Sequence, residues 1–182
     1  MDTTTEYNAV IKYCKDLFIK KSKDYGTSWR IMRLSSITDQ LYIKAKRIRT
    51  LEVKKVSKVG DDIADEFVAI VNYCVIALMQ LDLGEDGEEN LPLAIVDTEY
   101  TNKVNETRDL MFAKNHDYGE AWRDMRVSSM TDMILMKLHR VKQMEDNGGK
   151  TIASEGFVGN YQDMLNYAVF CLIKLGYASK NN

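Results

Sequence analysis

Residues 21–39, KSKDYGTSWRIMRLSSITD, return as residues 114–132, KNHDYGEAWRDMRVSSMTD, with twelve of nineteen positions identical at a fixed offset. A chain that repeats itself folds as copies of one unit, so this duplication restricts the architecture before any single residue does. The match runs outward through Asp16-Leu17 and Asp109-Leu110, Lys44 and Lys137, Arg47 and Arg140, and Glu52 and Glu145. With one inserted residue it reaches Asn72-Tyr73 and Asn166-Tyr167. The copies are assigned to residues 1–83 and 97–182, joined by a linker over 84–96 that is acidic, bears glycine and holds the single proline, Pro92. Each copy, at about 80 residues, is small for an independent core. Two copies with matching apolar faces are therefore expected to fuse into one body about a pseudo-twofold axis, an intrachain version of a symmetric dimer.

Within the first copy the apolar period is helical. Val10, Cys14 and Leu17 fall at i, i+4 and i+7; Ile37, Leu41, Ile48 and Leu51 form a second stripe; and the stretch from Phe67 to Leu81 is almost continuously apolar. One proline in 182 residues leaves too little turn punctuation for an all-β chain. The spacing predicts three long helices per repeat and an all-α, six-helix bundle overall. Gly26 of the DYG tripeptide ends the first helix. Ser35-Ser36 and Ser128-Ser129 are expected to cap the second helix, while Gly60 and Asp61-Asp62 open the third.

Composition narrows the setting. The net charge of -2 provides no global field for a polyanion, so no duplex nucleic acid is expected and any anion site must be local. Cys14, Cys74 and Cys171 stand far apart in apolar stretches, as small buried hydrophobes of a reducing compartment. No basic leader and no uninterrupted apolar run of ~20 residues is apparent, which points to a cytoplasmic location and no membrane partner.

Polar residues that break the apolar stripes carry the functional signal. Lys21 follows Leu17 by four, Lys44 interrupts the second-helix stripe, and Lys114 and Lys137 repeat both placements. They read either as snorkelling side chains at the core edge or as the cationic lining of a cleft. Arg30, Arg33 and Arg47, with Arg123, Arg126 and Arg140, would thicken such a lining, because guanidinium forks suit phosphate oxygens. Asp24 recurs as Asp117, but the third-helix acids do not repeat. One face carries Asp62, Asp65, Ala69 and Asn72; its counterpart carries Gly156, Gly159, Asp163 and Asn166. Each copy keeps a different half of one acidic pattern, and carboxylates so spaced can hold Mg²⁺ together with several waters. Trp29 and Trp122 follow DYG in each copy and either anchor a turn or stack a base, and Tyr25 and Tyr118 share that ambiguity. No serine-histidine-aspartate set, glycine-rich phosphate loop or HExxH occurs.

The string K-x-x-DYG-x-x-W-R, followed by a D-x-x-x-x-K-x-x-R helix and an acid-bearing helix ending in N-Y, resembles the nucleotide modification associated domain 1 family, twice and over nearly the whole chain. The resemblance implies a role in nucleotide or modified-base metabolism. It also suggests kinship with the all-α nucleoside triphosphate pyrophosphatases, whose carboxylates hold Mg²⁺. On this sequence it implies Asp24, Asp65, Asp117 and Asp163 as catalytic carboxylates and Asp62, Asp65 and Asp163 as metal ligands. Lys21, Arg30, Lys44, Arg47, Lys114, Arg123, Lys137 and Arg140 would neutralise phosphates, with Tyr25, Trp29, Asn72, Tyr118, Trp122 and Asn166 completing a nucleotide site. Neither copy has both third-helix acids, and the paired-glutamate signature of those enzymes is absent as such from both. Asp65 and Asp163 either pool into one composite site or leave two degenerate ones. Two function classes remain: a Mg²⁺-dependent pyrophosphohydrolase, or a non-catalytic nucleotide-sensing or assembly module whose exposed faces allow a homo-oligomer.

Overall fold

The computed structural model describes residues 1–55, 62–152 and 155–180. Among them the chain forms six α-helices and no strand: α1 (Thr3–Tyr25), α2 (Leu34–Lys54), α3 (Ile63–Leu83), α4 (Leu93–Tyr118), α5 (Val127–Asp146) and α6 (Phe157–Lys174). One-turn 3-10 segments, Ser28–Ile31 and Ala121–Asp124, separate the first and second helices of each copy, and a third, Tyr177–Ser179, follows α6. The all-α duplicated bundle expected from the repeat is the fold observed.

The nearly continuous apolar stretch of the first copy and its counterpart in the second become the centre. α3 packs along α6, α2 covers α3, α5 covers α6, and α1 and α4 each touch both central helices. Phe67, Ile70, Val71 and Cys74 are buried from α3, and Met164, Leu165, Ala168 and Val169 from α6. A helix covered on most sides needs few polar positions, which is why these two segments are the most apolar of the six. By length and composition α3 could cross a membrane, with a mean hydropathy of 1.6 over its most apolar window, but two thirds of that window is buried within the bundle.

The helix ends follow local chemistry, with one departure from expectation. Gly26 and Gly119 close α1 and α4 at φ 63° and 61°, left-handed values that side chains disfavour. α2 and α5 are not capped by the serine pairs. Arg33 and Arg126 occupy the N-cap positions without a side-chain cap, because the extended residues after each 3-10 turn let the helix begin at once and draw the serines into its first turn. At α2 the linker supplies a cap instead, with the Leu34 N–H donating to Glu85 Oε1 at 2.9 Å. Asp62 caps α3 in a reciprocal box: Ala64 N–H donates to Asp62 Oδ1, and Asp62 N–H donates to Asp65 Oδ2. Gly60 and Asp61 lie outside the described residues.

Paired polar bonds cross between the copies. Tyr7 donates its hydroxyl to Asn166 Oδ1 at 2.8 Å, and Asn166 Nδ2 donates to the Thr107 carbonyl at 3.2 Å. Its counterpart is Tyr100 on Asn72 Oδ1 at 2.8 Å, with Asn72 Nδ2 on the Cys14 carbonyl at 3.1 Å. Each asparagine thus ties its own copy's first helix to the tyrosine of the other copy. Along α2 and α5, Thr38 donates to Glu145 at 2.7 Å and Thr131 to Glu52 at 2.8 Å. The three cysteines are free and buried, as expected.

Burial pushes the Glu52 and Glu145 carboxyls above their usual value of 4.5, against the opposing hydroxyls of Thr131 and Thr38. The folded state therefore binds more protons than the unfolded chain just above pH 4.5, and stability falls as pH rises through that window. The double variant Glu52→Gln/Glu145→Gln keeps an acceptor for each threonine without the charge. Thermal unfolding across pH should show it melting above the parent at pH 7, with the difference closing as the parent's carboxyls protonate. Equal melting temperatures at pH 7 would refute this.

Candidate functional site

Each copy contains a cleft in the same place, between the end of its first helix, its 3-10 turn and its third helix. The first cleft, about 380 Å³, is lined by Lys21, Tyr25, Trp29, Asp65, Asn72 and Tyr73 among others. The second, about 530 Å³, is lined by Lys114, Tyr118, Trp122, Lys137, Asp163, Asn166, Tyr167 and Phe170 among others. Asp65 lies in one and Asp163 in the other, so the two acids do not pool into a composite centre.

The clefts differ in where the acid sits. In the second copy Asp163 is buried and receives Lys114 Nζ on Oδ1 at 2.5 Å and Lys137 Nζ on Oδ2 at 2.7 Å. Lys137 is only 8% exposed, so this is a desolvated cluster rather than a surface pair. Burial works against the charge of Lys114, but the hydrogen bond and charge of Asp163 outweigh it and raise the lysine above its usual range. In the first copy Ala69 takes the Asp163 place. The acid lies three residues earlier at Glu66, also buried, where Arg47 and Lys44 of α2 meet it, the lysine at 3.4 Å. Lys21 is left exposed and has no polar partner among the described residues.

Several expected ligand-binding side chains are committed to the fold. Arg30 is buried and holds the linker, donating to the carbonyls of Gly84 and Glu88 at 3.0 Å and to Gln80 Oε1. A Cβ at Gly87 would stand 2.3 Å from its Nη2, so a side chain there would push the guanidinium out of its present place. Arg123 pins the start of α1 through Glu6 at 2.6 Å and Thr3 at 2.7 Å, and also pairs with Glu120. Asn72 and Asn166 line the clefts but spend their amides on the crossed tyrosine links. Asp62 and Asp65 cap α3. Asp24 and Asp117 are exposed and line neither cleft, Asp117 meeting only His116 at 3.1 Å.

The tryptophans anchor rather than stack. Trp122 lies parallel to Phe170 at 4.2 Å on one side and under the Arg123 guanidinium at 4.4 Å. The buried indole N–H of Trp29 and that of Trp122 both lack a protein acceptor. Because the same donor is left over in both copies, it belongs to the repeated turn. Tyr25 and Tyr118 are the reverse case, 66% and 77% exposed at the cleft rims. Large exposed rings at matched positions are where a planar ligand finds a free face.

Among the described residues no three histidine, cysteine or acidic side chains gather as a metal site. The donor chemistry agrees: Asp163 already faces two ammonium groups, Glu155 stands 3.9 Å from Lys137, and Asp65 serves the helix cap. These residues do not fit a protein-held Mg²⁺. Sequence reasoning passed over Glu66, whose signal was a carboxylate opening an apolar run. It matched Tyr73 and Tyr167 between the copies but assigned them no role, although both line clefts.

A duplicated helical bundle with one ring-and-charge cleft per copy defines the class of protein. The chain belongs to the nucleotide modification associated domain 1 family, whose model matches residues 21–81 and again 114–175. No curated protein and no solved structure matches it.

Proposed function

We propose that this protein binds a nucleotide-like small molecule in the cleft of the second repeat, without hydrolysing it. The supporting observation is the pairing, in one pocket of about 530 Å³, of the exposed Tyr118 ring with the Lys114–Asp163–Lys137 cluster. That volume suits a drug-sized or mononucleotide-sized ligand. The base lies against Tyr118, and the ribose or base edge meets the lysines and the remaining lone pairs of Asp163. The family's association with nucleotide modification supports the ligand class. Pyrophosphohydrolysis requires carboxylates free to hold a metal or orient water, and the acids of this cleft are engaged with lysines.

The test is a thermal-shift and calorimetric screen of nucleosides and nucleotides, with and without Mg²⁺, while pyrophosphate release is followed in the same mixtures. A selective ligand at 100 times its dissociation constant should stabilise the fold by about 2.7 kcal/mol. Tyr118→Ala should weaken binding about tenfold, in line with the ~1–3 kcal/mol of a base–aromatic stack. Absence of any shift would overturn the binding reading, and pyrophosphate release would overturn the claim that hydrolysis does not occur.

A further inference from the structure

The cleft of the first repeat lacks the charge cluster that occupies its counterpart. Ala69 stands where the second repeat has Asp163, and Lys44 is drawn to Glu66, so that it does not line its cleft as Lys137 lines the other. Arg30 is spent on the linker carbonyls. Lys21 is thereby the single cation of this lining, exposed and unpaired among the described residues, whereas Lys114 is held by its acid at 2.5 Å.

Where charge is missing the lining is apolar. Leu17, Met32, Val68 and Ile76 contribute to the walls, the free ring of Tyr25 stands at the rim, and the exposed Ile31 takes the place of Asp124 in the second repeat. Trp29, also part of the lining, carries a buried indole N–H with no acceptor, a donor that a bound ligand can satisfy. Asp65, the one acid of the lining, accepts the Asp62 N–H at 3.2 Å and repels a second negative charge on any ligand. These features select by shape and by charge. A pocket of about 380 Å³ with apolar walls takes an apolar body. One ammonium balances one negative charge; a carboxylate brings one, and a phosphomonoester brings about two at pH 7.

We infer that the first-repeat cleft is a site for a small aromatic monocarboxylate, its ring against Tyr25 and its carboxylate paired with Lys21, with the Trp29 indole N–H as a further donor. The two repeats then serve ligands of different classes rather than two copies of one. This assignment does not depend on nucleotide binding in the second cleft.

Calorimetry and heteronuclear NMR test it with three probes joined at the same position of one ring body: naphthoate, naphthamide and naphthyl phosphate. The chain has two tryptophans, one lining each cleft, so their indole N–H signals report the clefts separately. Naphthoate should move the Trp29 signal and leave that of Trp122 in place. It should bind about fivefold more tightly than the amide, the order expected of one exposed ion pair, and the phosphate should bind no more tightly than the carboxylate. Lys21→Met removes the cation, and Ala69→Asp gives this cleft the acid that Lys114 meets in the second repeat; each should bring the ratio of carboxylate to amide affinity to about one. Damage to the fold would instead weaken both probes together and leave that ratio standing. Equal affinity for carboxylate and amide in the parent, tighter binding of the phosphate, a shift of Trp122 in place of Trp29, or no binding of any probe would each overturn the assignment. Nucleotide binding is read at Trp122, so failure of the second-cleft reading is seen separately.

Discussion

Asp163→Ala will cost the fold about 3–5 kcal/mol, the usual penalty for removing one partner from a buried ion cluster. Lys114 is partly exposed and can turn to water, but Lys137 is nearly enclosed and keeps only Glu155 at 3.9 Å. Chemical denaturation should show a lower midpoint with the slope unchanged. Adding Lys137→Met should recover most of the loss, because an apolar side chain of similar length fills the site without a stranded charge. The first copy tolerates alanine at the same place because Lys44 and Arg47 have Glu66 to meet. An unchanged midpoint in Asp163→Ala would mean that Lys137 reaches water and that the cluster contributes nothing to stability.

Asn166→Ala should be almost as damaging, at about 3 kcal/mol. It strands the fully buried Tyr7 hydroxyl, at about 1–3 kcal/mol for an unsatisfied group, takes from the Thr107 carbonyl the second of its two partners, and opens a small cavity. Tyr7→Phe alone should cost less, since the Asn166 amide keeps its bond to Thr107. Combining Tyr7→Phe with Asn166→Ala should cost less than the sum of the two, because the hydroxyl that alanine strands is already gone. Full additivity in that cycle would show that the crossed link is not an energetic unit.

Much of the fold was legible because it depended on patterns longer than any one residue. The duplication set the number of units, the period of α2 marked its buried face, and the near-continuous apolar run identified α3, with α5 and α6 following as the counterparts of α2 and α3. The serine pairs misled because capping is decided by where extended backbone ends. Arg33 and Arg126 hold that position, and nothing in local composition separates them from the serines that follow.

The site was legible in part. Lys114, Lys137 and Asp163 do meet in one cleft, and Tyr25 and Tyr118 do present free rings. Arg30 and Arg123 have the same sequence signature as phosphate-binding arginines, but their partners are linker carbonyls in one case and the start of α1 in the other. Those contacts arise from tertiary packing and leave no trace in local spacing. The exchange of Glu66 for Asp163 was hidden for a related reason: the two acids are one helical turn apart, and which lysines each attracts depends on the approach of α1 and α2 to α3.

The crossed tyrosine–asparagine links also bear on how such a protein can change. In an assembly of two identical chains every substitution is made twice, so both clefts would be forced to keep the same acids and the same cations. Covalent fusion lifts that constraint: the core can retain its matched bonds between the copies while the second copy carries Asp163 and lacks the counterparts of Asp62, Asp65 and Glu66 that the first keeps. The linker clasped by Arg30 is therefore more than a tether. It is the feature that lets a symmetric scaffold carry two unequal pockets.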